Sequence, residues 1–88
     1  MKIKEGFMLR EIAGEYIVVP VGKAAVDFNG IVTLNSTGAF LWKQLTTDQK
    51  TSDLLDAIIK EYQVEEEIAY KDIQDFIHTL KKASLLEE

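Results

Sequence analysis

At 88 residues, 47% hydrophobic and 28% charged, the chain has the composition of one small globular domain over residues 1–88, with one core and no room for a large substrate cavity. It contains no cysteine, which excludes disulfides, thiolate catalysis and cysteine-rich zinc sites and fits a reducing, cytoplasmic interior. Ten Lys and Arg against fifteen Asp and Glu give a net charge of −5, which repels a polyanion and counts against nucleic-acid binding.

Near the N-terminus, Arg10, Glu11 and Glu15 interrupt what would have to be the apolar part of an export signal. No run approaches the roughly 18 apolar residues of a membrane span. Phe7–Ala13 and Glu15–Val21 are rich in β-branched and large apolar residues and flank Gly14, so two strands joined by a tight turn are predicted. Pro20 has no N–H to donate and belongs at a strand end or a non-bonded position. Gly22–Gly30, with Gly at both ends and Asp27 and Asn29 near the second, marks a connection. "IVTLN" (Ile31–Asn35) then predicts a short third strand beside the second, in a three-stranded antiparallel meander.

Asn35 suits the N-cap of a first helix running to about Leu45, with Ala39, Leu41, Trp42 and Leu45 as its buried stripe. Gly38 in the first turn lowers helix propensity, and close packing against a neighbour accounts for it. After a polar turn, Leu54, Leu55, Ile58, Ile59 and Tyr62 share one face of a second helix. A third helix is predicted from about Glu66 to Ala83, its acids at the positive dipole end and Lys81 and Lys82 at the negative one. On its wheel Ala69, Ile73, Phe76, Leu80 and Ala83 form the core stripe, and Tyr70, Gln74, Ile77 and Lys81 a mixed stripe beside it. Three strands followed by three helices make a compact α+β domain.

Chemistry-bearing constellations are sparse. His78 is a lone helical histidine that reads as a solvated surface residue, and a single ligand would hold a metal weakly. Glu65–Glu67 point in three directions from a helix start. Asp53 with Asp56, and Asp72 with Asp75, share helix faces but read as solvated surface. The five glycines are scattered singly and build no phosphate cradle, and the aromatic residues form no strand-borne stacking cluster. No catalytic residue, metal or cofactor is expected.

The third strand stands out for what it lacks. Soluble proteins blunt sheet edges with charge, proline or cover, and "IVTLN" has neither charge nor proline. If it is an edge, it needs cover from the tail "SLLEE", from a second copy of the chain, or from an added peptide strand. In the last case the mixed stripe of helix three becomes a groove wall, and Lys81 favours an acidic peptide residue.

The pattern from "VVPVGKAAVDFNGIVTLNSTGAFLW" through "LLDAIIKEYQV" to "DIQDFIHTLKKASLL" resembles the PqqD-like family, named for pyrroloquinoline quinone synthesis protein D. The resemblance spans about Phe7 to Leu86, and its most specific part is the strand-to-helix "LNSTGAFLW". It implies a winged-helix-like domain without catalysis of its own. Such a domain binds the leader of a ribosomally made precursor peptide and presents it to a modifying enzyme, often a radical S-adenosylmethionine protein. Carried onto this chain, the resemblance implies peptide contacts at Ile31, Val32, Thr33 and Leu34 on the third strand. On helix three the corresponding wall is Tyr70, Ile73, Gln74, Ile77 and Lys81. Two rivals use the same features: a winged-helix DNA-binding regulator, disfavoured by the acids on helices two and three, and a homodimer that pairs its third strands.

Overall fold

In the computed structural model, which describes residues 1–22 and 32–87, the chain order is β1 (Lys2–Ile3), β2 (Phe7–Ile12), β3 (Glu15–Pro20), β4 (Val32–Leu34), α1 (Ser36–Gln44), α2 (Thr51–Tyr62), α3 (Glu66–Lys82) and β5 (Leu86–Glu87). Strands β2 and β3 form the expected hairpin. Its two turn residues, Ala13 and Gly14, have φ of 52° and 82°. Left-handed backbone at both positions matches the twist of the flanking strands, and glycine adopts it without the Cβ strain that Ala13 bears. Pro20 ends β3 opposite Phe7, where the ladder stops.

β4 pairs antiparallel with the other side of β3, in the register Tyr16↔Leu34, Ile17↔Thr33 and Val18↔Val32. The sheet order is therefore β2-β3-β4, the expected three-stranded meander, with β4 at one end. Ile31 and residues 23–30 of the expected connection lie outside the described residues.

Asn35 caps α1 as its sequence context predicts: its Oδ1 accepts from the Gly38 N–H at 2.7 Å. Ala39, Leu41, Trp42 and Leu45 are all buried. A Cβ at Gly38 would stand 3.2 Å from Asn35 Oδ1, 3.3 Å from Leu34 Cβ and 3.5 Å from Phe76 Cδ1. Close packing is what this glycine provides, and it holds β4, α1 and α3 together at one point.

On α2, Leu54 and Ile58 are buried, Leu55 and Ile59 half-buried, and Tyr62 meets Phe40 edge-on with ring centroids 5.5 Å apart. Asp53 accepts from the Lys50 N–H at 2.8 Å, so it helps to cap this helix. α3 buries Ala69, Ile73, Phe76, Ile77 and Leu80 against the same core.

The end of α3 is a Schellman turn. Leu85 N–H donates to the Leu80 carbonyl (2.9 Å) and Ser84 N–H to that of Lys81 (3.1 Å), with Ser84 in the left-handed region at φ 59°. Leu80 and Leu85, the apolar pair that accompanies this motif, are fully buried. The turn delivers Leu86 and Glu87 to β1, in the register Lys2↔Glu87 and Ile3↔Leu86. The other side of β1 is tied to the end of α1 by Ile3 N–H to the Leu45 carbonyl (2.9 Å). This second, two-stranded sheet was not expected from sequence, because each strand is two residues long and its partner is at the opposite end of the chain.

Candidate functional site

The uncharged third strand is an edge. Among the described residues β4 has β3 on one side and no paired strand on the other. The tail, one of the three ways to cover it, is committed elsewhere, since β5 pairs with β1. Val32 and Leu34 are half-buried and pack against the core, while Thr33 is exposed.

Beside this edge runs α3, and a groove lies between them. Toward the Leu34 end it deepens into a cavity of about 190 Å³ floored by Leu34, Gly38, Leu41 and Phe76, with Asp72 and Asp75 along its helical side. A cavity of that volume has room for a single peptide side chain. Toward the Val32 end the groove opens into a shallower depression bordered by His78, Lys82 and Ala83. Thr33 and Thr79 line both parts. The contact of Phe76 with the Gly38 position sets how closely α3 approaches β4.

The expected strand residues Val32, Thr33 and Leu34 therefore sit on this groove, and Ile31 is outside the described residues. Tyr70, Ile73, Gln74, Ile77 and Lys81 of the expected helical wall are not among the residues lining these two depressions. At about 100° per residue, Tyr70, Gln74, Ile77 and Lys81 lie roughly half a turn around α3 from Asp72, Asp75, Thr79 and Lys82. Tyr70 is 50% exposed and Gln74 and Lys81 are also exposed, Ile73 is completely buried, and Ile77, 8% exposed, belongs to the core. The reason is geometric. A buried helical stripe has two flanks, and a wheel drawn from sequence does not say which one faces the sheet. Gly38 was the available signal, because the residue packed over it, Phe76, marks the flank that turns toward β4.

The acidic and basic side chains lining the groove are Asp72 and Asp75 toward the Leu34 end and Lys82 toward the Val32 end. Asp75 forms an exposed ion pair with Lys71 at 3.1 Å, and Thr79 Oγ1 donates to the Asp75 carbonyl at 3.0 Å. Asp72 has no ion-pair partner among the described residues. Across β4 from α3, Glu15 borders a third depression with Tyr16, Leu34 and Ser36. Away from the groove, Asp48 is held below the ordinary carboxylate range by the hydrogen bond it accepts from the Met1 ammonium. Among the described residues no group of three or more His, Asp or Glu could hold a metal ion, and no helix is long and apolar enough to cross a membrane.

Among the described residues an uncharged edge strand of an α+β domain lies beside a helix-walled groove, an arrangement to which an extended segment can add as a strand. The family model for coenzyme PQQ synthesis protein D (PqqD) matches residues 15–86, and the chain belongs to that family. Two solved structures share the fold. One is TbiB1 in complex with the TbiA(beta) leader peptide, with a TM-score of 0.74 and 25% identity, covering 99% of this chain and 95% of that one. The other is lasso peptide synthetase B1 complexed with the leader peptide, with a TM-score of 0.72 and 17% identity, covering 99% and 96%. No curated protein sequence matches the chain significantly.

Proposed function

We propose that this protein is a non-catalytic leader-peptide-binding component of a peptide-modification system. It takes the leader of a ribosomally made precursor as an added strand on β4 and presents the precursor to a modifying enzyme, with a radical S-adenosylmethionine protein the leading candidate. The observation that carries this reading is the β4 edge, which has no strand partner on its outer side among the described residues and lies beside the α3 groove, in a chain whose structural relatives are complexes with leader peptides.

Physical chemistry supports the division of labour. Each backbone hydrogen bond to β4 contributes about 0.5–1.5 kcal/mol net. Ordering a disordered leader costs about 2–5 kcal/mol or more, so a three-residue edge needs side-chain anchors in the groove. The cavity over Gly38 and Phe76 is such an anchor point. A leader held here raises the local concentration of the attached core peptide at a bound enzyme, without any chemistry in the domain itself.

The DNA-binding alternative is weakened by the carboxylates on the helices, Asp53, Asp56 and Glu61 on α2 and Asp72 and Asp75 on α3. The test is an amide NMR titration of the labelled protein with the leader of the precursor encoded beside its gene, against a scrambled control. Saturable shifts at Val32–Leu34 and along Asp72–Lys82 are expected. Shifts centred on Tyr70, Gln74 and Lys81 would move the site to the other flank of α3, and no shifts from a folded sample would sink the reading. Sedimentation at several concentrations tests the homodimer: a self-associating species that the leader does not open would mean that β4 pairs with a second copy instead.

A further inference from the structure

We infer that the groove selects its peptide by a charge pattern, a Lys or Arg at its Leu34 end and an Asp or Glu at its Val32 end, with a bulky apolar side chain between them. This rests on the proposal that β4 and α3 dock a peptide, and it goes beyond that proposal by naming the chemistry of the bound segment. It also replaces Lys81, on the far flank of α3, with Lys82 as the cation that meets an acidic peptide residue.

Three observations combine. At the Leu34 end, carboxylates approach from both sides of the strand: Asp72 and Asp75 from α3, and Glu15 from the start of β3. Lys71 offsets part of the charge of Asp75 in an exposed pair, so Asp72, which has no ion-pair partner among the described residues, is the stronger anionic contact from α3. At the Val32 end the charged side chain on the rim, among the described residues, is Lys82. The apolar floor of Leu34, Leu41 and Phe76 belongs to the cavity at the Leu34 end, and along α3 Phe76 falls between Asp72 and Lys82.

The spacing is set by matching a helix to a strand. Asp72 and Lys82 are ten residues apart on α3, about 15 Å at 1.5 Å per residue. An extended peptide covers that length in four to five residues at about 3.3 Å each. Only alternate side chains face the helix, so the positions that read the groove are i, i+2 and i+4. The segment is therefore Lys/Arg, any residue, bulky apolar, any residue, Asp/Glu when it runs antiparallel to β4. The order is reversed when it runs parallel. A peptide of the wrong polarity places like charges together at both ends, so the pattern also sets the direction of the added strand.

The experiment is a selection from a phage-displayed library of random short peptides on the full chain, run in parallel on the double variant Asp72→Lys/Asp75→Lys and on Asp72→Asn/Asp75→Asn. Both aspartates are exposed, and thermal melts followed by circular dichroism verify that the variants fold. Peptides enriched on the wild type should carry Lys or Arg two positions from a bulky apolar residue. The asparagine variant should lose that preference and the lysine variant should invert it. In a synthetic copy of the top peptide, exchanging the basic residue for Glu should weaken wild-type binding about tenfold and recover it on the lysine variant. Peptides that shift the amides of Val32–Leu34 and α3 but show no charge preference would overturn the charge assignment and leave the docking proposal standing. Peptides that shift other surfaces, or no enrichment on folded protein, would overturn both.

Discussion

β1 and β4 are both very short strands, and they meet opposite fates. β1 is closed on two sides, by β5 through Ile3↔Leu86 and by the end of α1 through the Leu45 carbonyl. β4 has β3 on one side and, among the described residues, a groove on the other. The tail could have covered an exposed edge, and the Schellman turn at Ser84 sends it to the first sheet instead. Among the described residues the outer hydrogen-bonding groups of β4 have no strand partner, and this is the arrangement on which the proposed peptide docking rests.

The contrast breaks most visibly at the closed sheet. Leu85→Ala empties a fully buried site behind β5 and should cost about 2–5 kcal/mol, read as a lower urea midpoint with an unchanged slope. Ile77→Asp, which would test a groove wall if Ile77 lined one, should instead unfold the protein, because it places a charge in the core. On the open side the expected effect moves from stability to binding. Thr79→Trp fills the groove between its two halves and should weaken leader binding about tenfold, while stability changes by no more than about 0.5 kcal/mol. Equal affinity for wild type and this variant, by fluorescence anisotropy, would mean that the peptide does not run between β4 and α3.

Asn35→Ala joins the two regions, since it removes the cap that starts α1 directly after β4. A loss of about 0.5–2 kcal/mol is expected in chemical denaturation, with amide shifts reaching β4. The smallest effect is a gain. Ser84→Gly relieves a left-handed residue at the turn into β5 and should stabilise by several tenths of a kcal/mol, up to about 1, raising the melting temperature without changing peptide affinity.

Much of this architecture is local and was legible as such. The Asn35 cap, the Gly14 turn and the buried stripes of α1 and α2 each depend on residues within a few positions of one another, and Gly38 announced a close approach without naming Phe76 as the neighbour. The undefended character of "VTL" is likewise a property of the residues themselves, although its standing as an edge depends on the rest of the sheet. Asp53 was harder: as one of a pair of surface acids it looked idle, and only the Lys50 N–H beside it shows its capping role.

What the residues alone determined is therefore the three strands of the meander, the three helices, the apolar faces they must bury and the presence of a strand without charge or proline, since periodicity and capping act over one or two turns of chain. The tertiary structure decided the rest. It chose the partner of the tail, because β1 and β5 come from opposite ends of the chain and two-residue strands carry no signal of their pairing. It also decided which α3 side chains line the groove beside β4, because the two margins of a buried stripe are equivalent until a neighbour packs.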